Sequence, residues 1–110
     1  MKTYQPILTT SITAAADLTI NRFIGFDGNP CAAGAKAIGV AELDAAAGEQ
    51  ATANSLGVIL VEAGAAITVG DPVEADANAC AIPLSAGANN GHALDAAAAA
   101  GDVIRILRGI

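Results

Sequence analysis

The sequence predicts a small, mainly β domain with one short Ala-rich helix and an extended N-terminal arm. Short apolar runs rich in β-branched residues alternate with Gly, Asp and Pro, which is typical of buried strands separated by turns. A single stretch, residues 94–100, has the composition of a helix. The chain of 110 residues is long enough for one hydrophobic core and too short for two.

Residues 1–16 are predicted to form an arm in front of a single domain of residues 17–110. Thr and Ser surround a few apolar residues in this segment, and Pro6 lacks an N–H group, which restricts it to a sheet edge or a strand start. Two placements remain open. The segment is either an edge strand of the same domain, or a segment that becomes ordered by adding to a sheet of a partner.

Apolar and polar residues alternate over residues 18–26, which predicts a strand. Its expected inward face carries Leu18, Ile20, Ile24 and Phe26. The next turn is expected where Asp, Gly, Asn and Pro follow directly.

Residues 56–75 are predicted to be the spine of the domain. The run begins with the most apolar segment of the chain, breaks at Gly residues, and resumes at residues 66–69. This pattern predicts a buried strand followed by a hairpin partner. We expect Val58, Leu60 and Val61 to lie in the core.

The remaining elements are shorter. Residues 37–43, 80–84 and 102–107 are predicted strands, and residues 85–91 a surface loop that ends in an Asn-Gly turn. Residues 94–100 are the predicted helix of about two turns, which needs tertiary support. Residues 39–49 also resemble residues 91–102 in sequence, which indicates one kind of strand-exit corner used twice. A third copy is not visible, so a solenoid is not predicted.

The charge of the chain argues against several partners. The formal net charge is -6, and the five Lys and Arg residues are spread thinly. Nucleic-acid binding needs clustered cations that neutralise phosphates, and an acidic balance disfavours an anionic membrane surface. No apolar run approaches the ~20 residues of a membrane span, and no signal-peptide pattern is visible. We therefore expect synthesis in the cytoplasm, without export, and neither nucleic acid nor membrane as a partner.

No pattern predicts catalysis, a metal ion or a cofactor. His92 is the sole histidine, and without a nucleophile elbow a surface loop position is expected for it. Cys31 and Cys80 lack C-x-x-C spacing, so free, partly buried thiols are expected, with a disulfide as the alternative. Lys36 keeps a biotinyl- or lipoyl-like carrier domain open as a minor alternative, although its neighbours do not match a carrier hairpin tip.

Several segments follow one another in a distinctive order. They are residues 37–41, 46–49, 63–73 and 99–107, preceded by Tyr4-Gln5-Pro6 near the start. This order resembles the small capsid decoration, or cement, proteins of tailed bacteriophages, both the lambda-like head decoration proteins and a related family of short Ala- and Gly-rich head proteins. The A-G-A-A-I-T-V-G-D-P-V segment with the terminal A-A-G-D-V-I-R-I-L segment is the most specific part.

The resemblance implies a small β-barrel or β-tulip-like domain that acts as a viral structural protein and not as an enzyme. It implies a position on the outer capsid surface of the virion, commonly as a homotrimer, where the protein binds the major capsid protein and stabilises the shell. The candidate capsid-binding residues are Tyr4, Gln5, Pro6, Ile7 and Leu8. Another self-assembling head or tail component is the alternative within the same class.

Overall fold

Strand β4, Gln50–Glu62, organises the fold because three other strands pair with it. The computed structural model describes residues 4–109. The other strands are β1 (Gln5–Thr13), β2 (Phe23–Gly25), β3 (Ala37–Ala41), β5 (Val73–Ala75), β6 (Ala81–Pro83), β7 (His92–Ala93) and β8 (Val103–Arg108). β1, β3 and β8 pair antiparallel with β4, while β2 extends from β3 and β7 from β8. β5 and β6 form a separate two-stranded sheet.

β3 and β8 lie end to end along one edge of β4. At Asn54 the two partners of β4 are β1 and β3, whereas at Gly57 they are β1 and β8. Because β1 occupies one edge at both positions, β3 and β8 share the opposite edge. The sheet therefore divides near Ser55, where the edge passes from β3 to β8.

The far end of β4 meets the turn before β2, and this contact curls the sheet into a half-barrel. Ala63 N donates to Asp102 O beside β8 at 2.7 Å, and Glu62 N donates to Asn21 O at 2.7 Å. Successive N–H groups of a strand point to opposite edges, so Asn21 lies on the edge of β4 away from β8. The prediction of a mainly β fold is confirmed. The sheet is curved like the wall of a barrel, but it forms an open half-barrel.

The core lies on the concave face of β4 and its neighbours. The larger of two apolar clusters is built around Phe23, Val40, Ile59, Val61, Ile104 and Ile106, with many Ala residues between them. Val61 is fully buried, as predicted for the core. Val58 and Leu60 are only half-buried, because the strand alternates and places them on the opposite face.

Four turns share one backbone pattern and are bonded in pairs. They cover residues 14–22, 41–49, 63–71 and 93–102. In each, the first Ala carbonyl accepts a hydrogen bond from a residue with positive φ in the paired turn. These acceptor and donor residues are Ala14 with Gly48, Ala41 with Asn21, Ala63 with Gly101, and Ala93 with Gly70. The strand-exit corner inferred twice from the sequence is thus used four times among the described residues.

A carboxylate closes three of these four turns. Ala46 N donates to Glu49 at 2.7 Å, Thr68 N to Asp71 at 3.1 Å, and Ala98 N to Asp102 at 2.9 Å. Each acid directly follows the glycine with positive φ. The recurring Gly-acid pair is therefore explained by local turn chemistry.

The predicted helix at residues 94–100 is wrong. Ala97 N donates to Ile67 O at 3.0 Å, and the adjacent Ala98 N donates to the Asp102 carboxylate at 2.9 Å. In a helix, each of these two N–H groups would donate instead to the carbonyl four residues earlier. A two-turn helix has too little intrinsic stability to compete with these partners, whatever its Ala content.

Two strand predictions also need correction. In the segment 18–26, only Phe23–Gly25 is a strand. Asn21, with a φ of 64°, interrupts the extended backbone before this strand, so the predicted alternation of inward and outward side chains does not continue through it. Phe23 is consequently buried, while Phe26 is 62% exposed. The predicted hairpin partner at residues 66–69 is a turn, because the Asp71 carboxylate accepts the Thr68 N–H.

Candidate functional site

The five predicted binding residues lie together at the start of β1 and are mostly exposed. Ile7 is 83% exposed, Leu8 47% and Tyr4 40%, and Gln5 is also exposed while Pro6 is half-buried. The pairing register with β4 shifts between Pro6 and Leu8, so Ile7 is an extra residue without a partner. Such a bulge turns a side chain outward. The structure therefore presents two large apolar side chains next to each other on the surface.

β1 has an open edge and no charged residue. Among residues 4–109, β4 is the only strand that pairs with it. Its nine residues, QPILTTSIT, contain no Lys, Arg, Asp or Glu. Natural proteins usually protect edge strands with charges, because an unprotected edge pairs with other chains. Of the two placements left open by the sequence, the described residues form the edge strand, and this strand can accept a further one.

Gly57 allows β1 to approach β4 at the bulge. Its φ is +106°, and a Cβ at this position would lie 2.6 Å from Gln5 O and 2.7 Å from Ile7 N. Both neighbouring atoms belong to the backbone, so they have little freedom to move aside. The position of residues 5–7 therefore depends on the absence of a side chain at residue 57.

We expect Gly57→Ala to release the start of β1 and to lower the free energy of unfolding by about 2–4 kcal/mol. The matched control is Gly48→Ala, because Gly48 has a similar φ of +88° but nothing within 4 Å of the added Cβ. In the control, the free energy of unfolding should fall only by the cost of placing an Ala at positive φ, about 1–2 kcal/mol. Urea unfolding followed by circular dichroism measures both, and equal losses would contradict the close-approach explanation.

The convex face of the sheet next to β1 is apolar. Leu107 of β8 is 51% exposed and pairs with the half-buried Val58 of β4, which in turn pairs with Gln5. An ion pair borders this band, since Arg105 Nη2 lies 2.9 Å from Asp95 Oδ1. The apolar surface at the start of β1 thus continues across β4 to β8.

A narrow groove of about 140 Å³ lies beside Tyr4. It is lined by Tyr4, Ile20, Asn21, Glu42, Asn54 and Leu60. Asn54 is 5% exposed, and its Oδ1 accepts no hydrogen bond from the residues that the structure describes. Tyr4 Oη donates to Glu42 Oε1 at 3.4 Å, which is long for a hydroxyl hydrogen bond. The groove is therefore bordered by apolar side chains, by the Glu42 carboxylate and by the side-chain amides of Asn21 and Asn54.

Arg108 lies buried at the division between β3 and β8 and was not predicted as a special residue. Its guanidinium donates to Ser55 O at 2.8 Å, to Asn90 O at 3.4 Å, and to Ala37 O. Burial lowers the pKa of Arg108, with a smaller opposing effect from the Cys31 thiol. The side chain thus satisfies carbonyls of three separate segments where the sheet divides.

The sequence also misplaced Asn90. The segment 85–91 was predicted to be a surface loop, but Asn90 is fully buried. Ala37 N donates to its Oδ1 at 3.0 Å, and its Nδ2 donates to Ala35 O at 3.0 Å. Asn90 therefore joins this loop to the start of β3 beside Arg108.

The other residues singled out in the sequence do not form a reactive site. His92 is exposed on β7, opposite Leu107. Lys36 precedes β3, and its Nζ donates to Asn89 O at 2.6 Å, unlike the free lysine at the tip of a carrier hairpin. Cys31 and Cys80 are free and buried, and burial raises the pKa of both thiols.

A shallow acidic depression lies at the first pair of turns. Its carboxylates cap backbone N–H groups: Ala47 N donates to Asp17 at 3.0 Å, Ile20 N to Asp44 at 2.7 Å, and Ala46 N to Glu49. Within residues 4–109, no three His, Cys, Asp or Glu side chains are grouped to hold a metal ion. The same part of the chain has no helix long and apolar enough to cross a membrane.

Comparison with known proteins agrees with this architecture. The chain superimposes on the crystal structure of the N base of the head fibre protein gp8.5 of bacteriophage phi29, with a TM-score of 0.75, 21% sequence identity and coverage of 93% of each chain. No curated protein matches the sequence. The sequence model of the phage cement protein family matches residues 1–108. Because this match spans almost the whole chain, the protein belongs to the phage cement protein family.

Proposed function

We propose that this protein binds the outer surface of a phage capsid and stabilises the shell. The observation that carries the proposal is the open, uncharged edge of β1, with Tyr4, Ile7 and Leu8 exposed at its start. A strand of the major capsid protein that adds to this edge would gain backbone hydrogen bonds. The exposed side chains would contribute apolar contacts.

The segment 1–16 acts in this proposal as the capsid-binding arm of the domain 17–110. The described part of the arm stays paired with β4 and offers its other edge, so binding does not require the segment to leave the domain. Self-association into trimers on the shell would use further surface, for which the exposed Leu107 and Val103 of β8 are available. The protein would be made in the host cytoplasm and added to the outside of the head.

The direct test adds the purified protein to phage heads that lack it. We expect saturable binding in co-sedimentation and a higher temperature of head disruption in calorimetry. Binding without any change in head stability would remove the stabilising role. Absence of binding to expanded heads would contradict the proposal as a whole.

Ser11→Pro tests whether the edge of β1 is the contact. Ala14 N donates to Glu49 O at 2.8 Å just beyond β1, and alternation from that bond places the Ser11 N–H on the edge away from β4. Proline removes this donor and adds a ring on the open edge, where proline is tolerated. We expect about tenfold weaker binding to heads, or more, with the fold retained.

Ser11→Ala is the matched control, because it removes the hydroxyl and keeps the N–H group. It should bind heads like the wild type. Circular dichroism and the unfolding midpoint establish that both variants fold. A folded Ser11→Pro protein that binds at full strength would exclude the edge of β1 as the contact.

A further inference from the structure

The domain is built from two halves with the same order of strands and turns. The first half (residues 5–55) and the second half (residues 56–108) each run from an outer strand through a turn to a short inner strand, and return through a second inner strand and a second turn to a closing outer strand. In each half the outer strands pair antiparallel. The inner strands meet too: β2 pairs with β3, and Pro72 beside β5 forms an antiparallel bridge with His92 of β7.

The correspondence between the halves extends to single hydrogen bonds. Four backbone bonds of the first half recur at equivalent residues of the second half with similar lengths. They are Ala14 N to Glu49 O with Ala63 N to Asp102 O (2.8 and 2.7 Å), Gly48 N to Ala14 O with Gly101 N to Ala63 O (2.8 and 2.8 Å), Leu18 N to Ala45 O with Ile67 N to Ala97 O (2.8 and 3.0 Å), and Cys31 N to Phe23 O with Leu84 N to Pro72 O (3.1 and 2.9 Å). The strand register agrees, because Ser11 lies opposite Thr52 as Leu60 lies opposite Arg105. Residues 7–13 of β1 are therefore equivalent to residues 56–62 of β4.

The open edge of β1 thus has a counterpart within the molecule, which is the edge of β4 that faces away from β8. This counterpart is occupied, because β1 itself runs antiparallel along its start, with Gln5 opposite Val58. Further along the same edge, Glu62 N donates to Asn21 O at 2.7 Å. Equivalent edges direct their N–H and C=O groups in the same way, so the occupant of one edge is a guide to the occupant of the other.

We propose that an extended segment of the capsid shell protein lies antiparallel to β1, with one of its residues opposite Thr9 and one of its carbonyls at the Thr13 N–H. Thr9 is the equivalent of Val58, and Thr13 is the equivalent of Glu62. Every strand pair of the described sheet is antiparallel, which is also the slightly more stable pairing per residue. The inference rests on the proposed function for the identity of the partner.

The segment pairs as a regular strand, without the bulge that β1 forms on β4. Gly57 permits that bulge, because its φ is +106° and a Cβ there would lie 2.6 Å from Gln5 O. The equivalent residue of β1 is Leu8, which carries a Cβ and is not among the residues with positive φ. The same close approach is therefore excluded on β1, and the pairing is regular over residues 9–13.

The side chains of β1 define the chemistry of the segment. Thr9, Ser11 and Thr13 are exposed on one face of the strand. Thr10 and Ile12 lie half-buried on the other face. Residues directly opposite each other on neighbouring strands share a face and contact each other, so the segment alternates between polar side chains on the first face and apolar side chains on the second. Because β1 carries no charge, a charged side chain of the segment would gain no ion pair with this strand.

Photocrosslinking on phage heads tests the polarity and the register. Thr9→p-benzoylphenylalanine and Thr13→p-benzoylphenylalanine are each bound to heads that lack the protein, irradiated, and analysed by mass spectrometry. We expect both variants to react with one segment of the shell protein, and the residue reached from position 9 to lie about four residues C-terminal to the residue reached from position 13. The opposite order would show a parallel strand and overturn the inference. Reaction with separate segments would overturn it too.

A density map of heads decorated with the wild-type protein gives the polarity without any substitution. We expect a shell strand antiparallel to β1, with a residue opposite Thr9. A bound protein whose β1 edge carries a parallel strand, or no strand, means that the inference is wrong while the proposed function stands. If the wild-type protein does not bind heads at all, the proposed function fails and the inference fails with it.

Discussion

Arg108→Met is expected to lower the free energy of unfolding by about 3–5 kcal/mol. Methionine keeps the unbranched apolar stem of the side chain but leaves the carbonyls of Ser55, Asn90 and Ala37 without this donor in a buried place. Each unsatisfied buried carbonyl costs roughly 1–3 kcal/mol. A domain of this size has a total stability of only about 5–15 kcal/mol, so the variant should be close to unfolding.

Arg105→Met is the matched control on the same strand. Arg105 points to the convex face, where it forms a partly exposed ion pair with Asp95. Such pairs contribute about 0–1 kcal/mol, so the control should be nearly as stable as the wild type. Urea unfolding followed by far-ultraviolet circular dichroism compares the two. Equal losses would mean that the Arg108 contacts do not hold β3 and β8 together.

Replacing both Ile7 and Leu8 by serine is expected to weaken binding to phage heads by about 100-fold. If both side chains are buried on the capsid, each contributes about 1.5 kcal/mol or more of apolar burial. The two side chains are 83% and 47% exposed in the free domain, so its own stability should change little. Quantitative co-sedimentation with heads measures the affinity, and the unfolding midpoint checks the fold.

The control for this pair replaces two exposed apolar residues elsewhere. Leu43 and Val69 are 66% and 59% exposed and lie in the turns 41–49 and 63–71, outside β1. Their double serine variant should bind heads normally. A similar loss in both double variants would indicate a general effect of surface hydrophobicity. In that case the start of β1 would not be the specific contact.

The central strand could be predicted because its signal is local. The β-branched run after Ser55 is too apolar for an exposed position and too short for a stable helix, and it forms the second half of β4, where Ile59 and Val61 are buried. Its partners could not be predicted. β1, β3 and β8 come from three distant parts of the chain and share the two edges of β4, which no local pattern encodes.

The errors occurred where tertiary partners outweighed local propensity. The Ala-rich stretch 94–100 has strong helix propensity, but its Ala97 and Ala98 N–H groups donate hydrogen bonds to the Ile67 carbonyl and the Asp102 carboxylate. Ile67 and Val69 have strand propensity, but the Asp71 carboxylate closes a turn around them. In both places, a few hydrogen bonds to distant or turn residues contribute more free energy than the small helix or strand propensities of single residues.

Part of the missed polar core had a detectable signal. Ile104 and Ile106 share the inward face of β8, and the same alternation places Arg108 on that face. A cation at a core position requires buried acceptors, so a polar site could have been expected there. The burial of Asn90 had no comparable signal, because an Asn-Gly pair is typical of exposed turns.

The four related turns have a consequence for how the sequence of this domain can change. Each turn is specified by a small residue, a backbone with positive φ and, in three turns, one carboxylate. None of these features depends on the identity of a large core side chain. Mutational drift can therefore exchange apolar residues widely, provided that the turn positions are kept. Distant members of such a family should be recognised by the spacing of their Gly-acid pairs more readily than by overall identity.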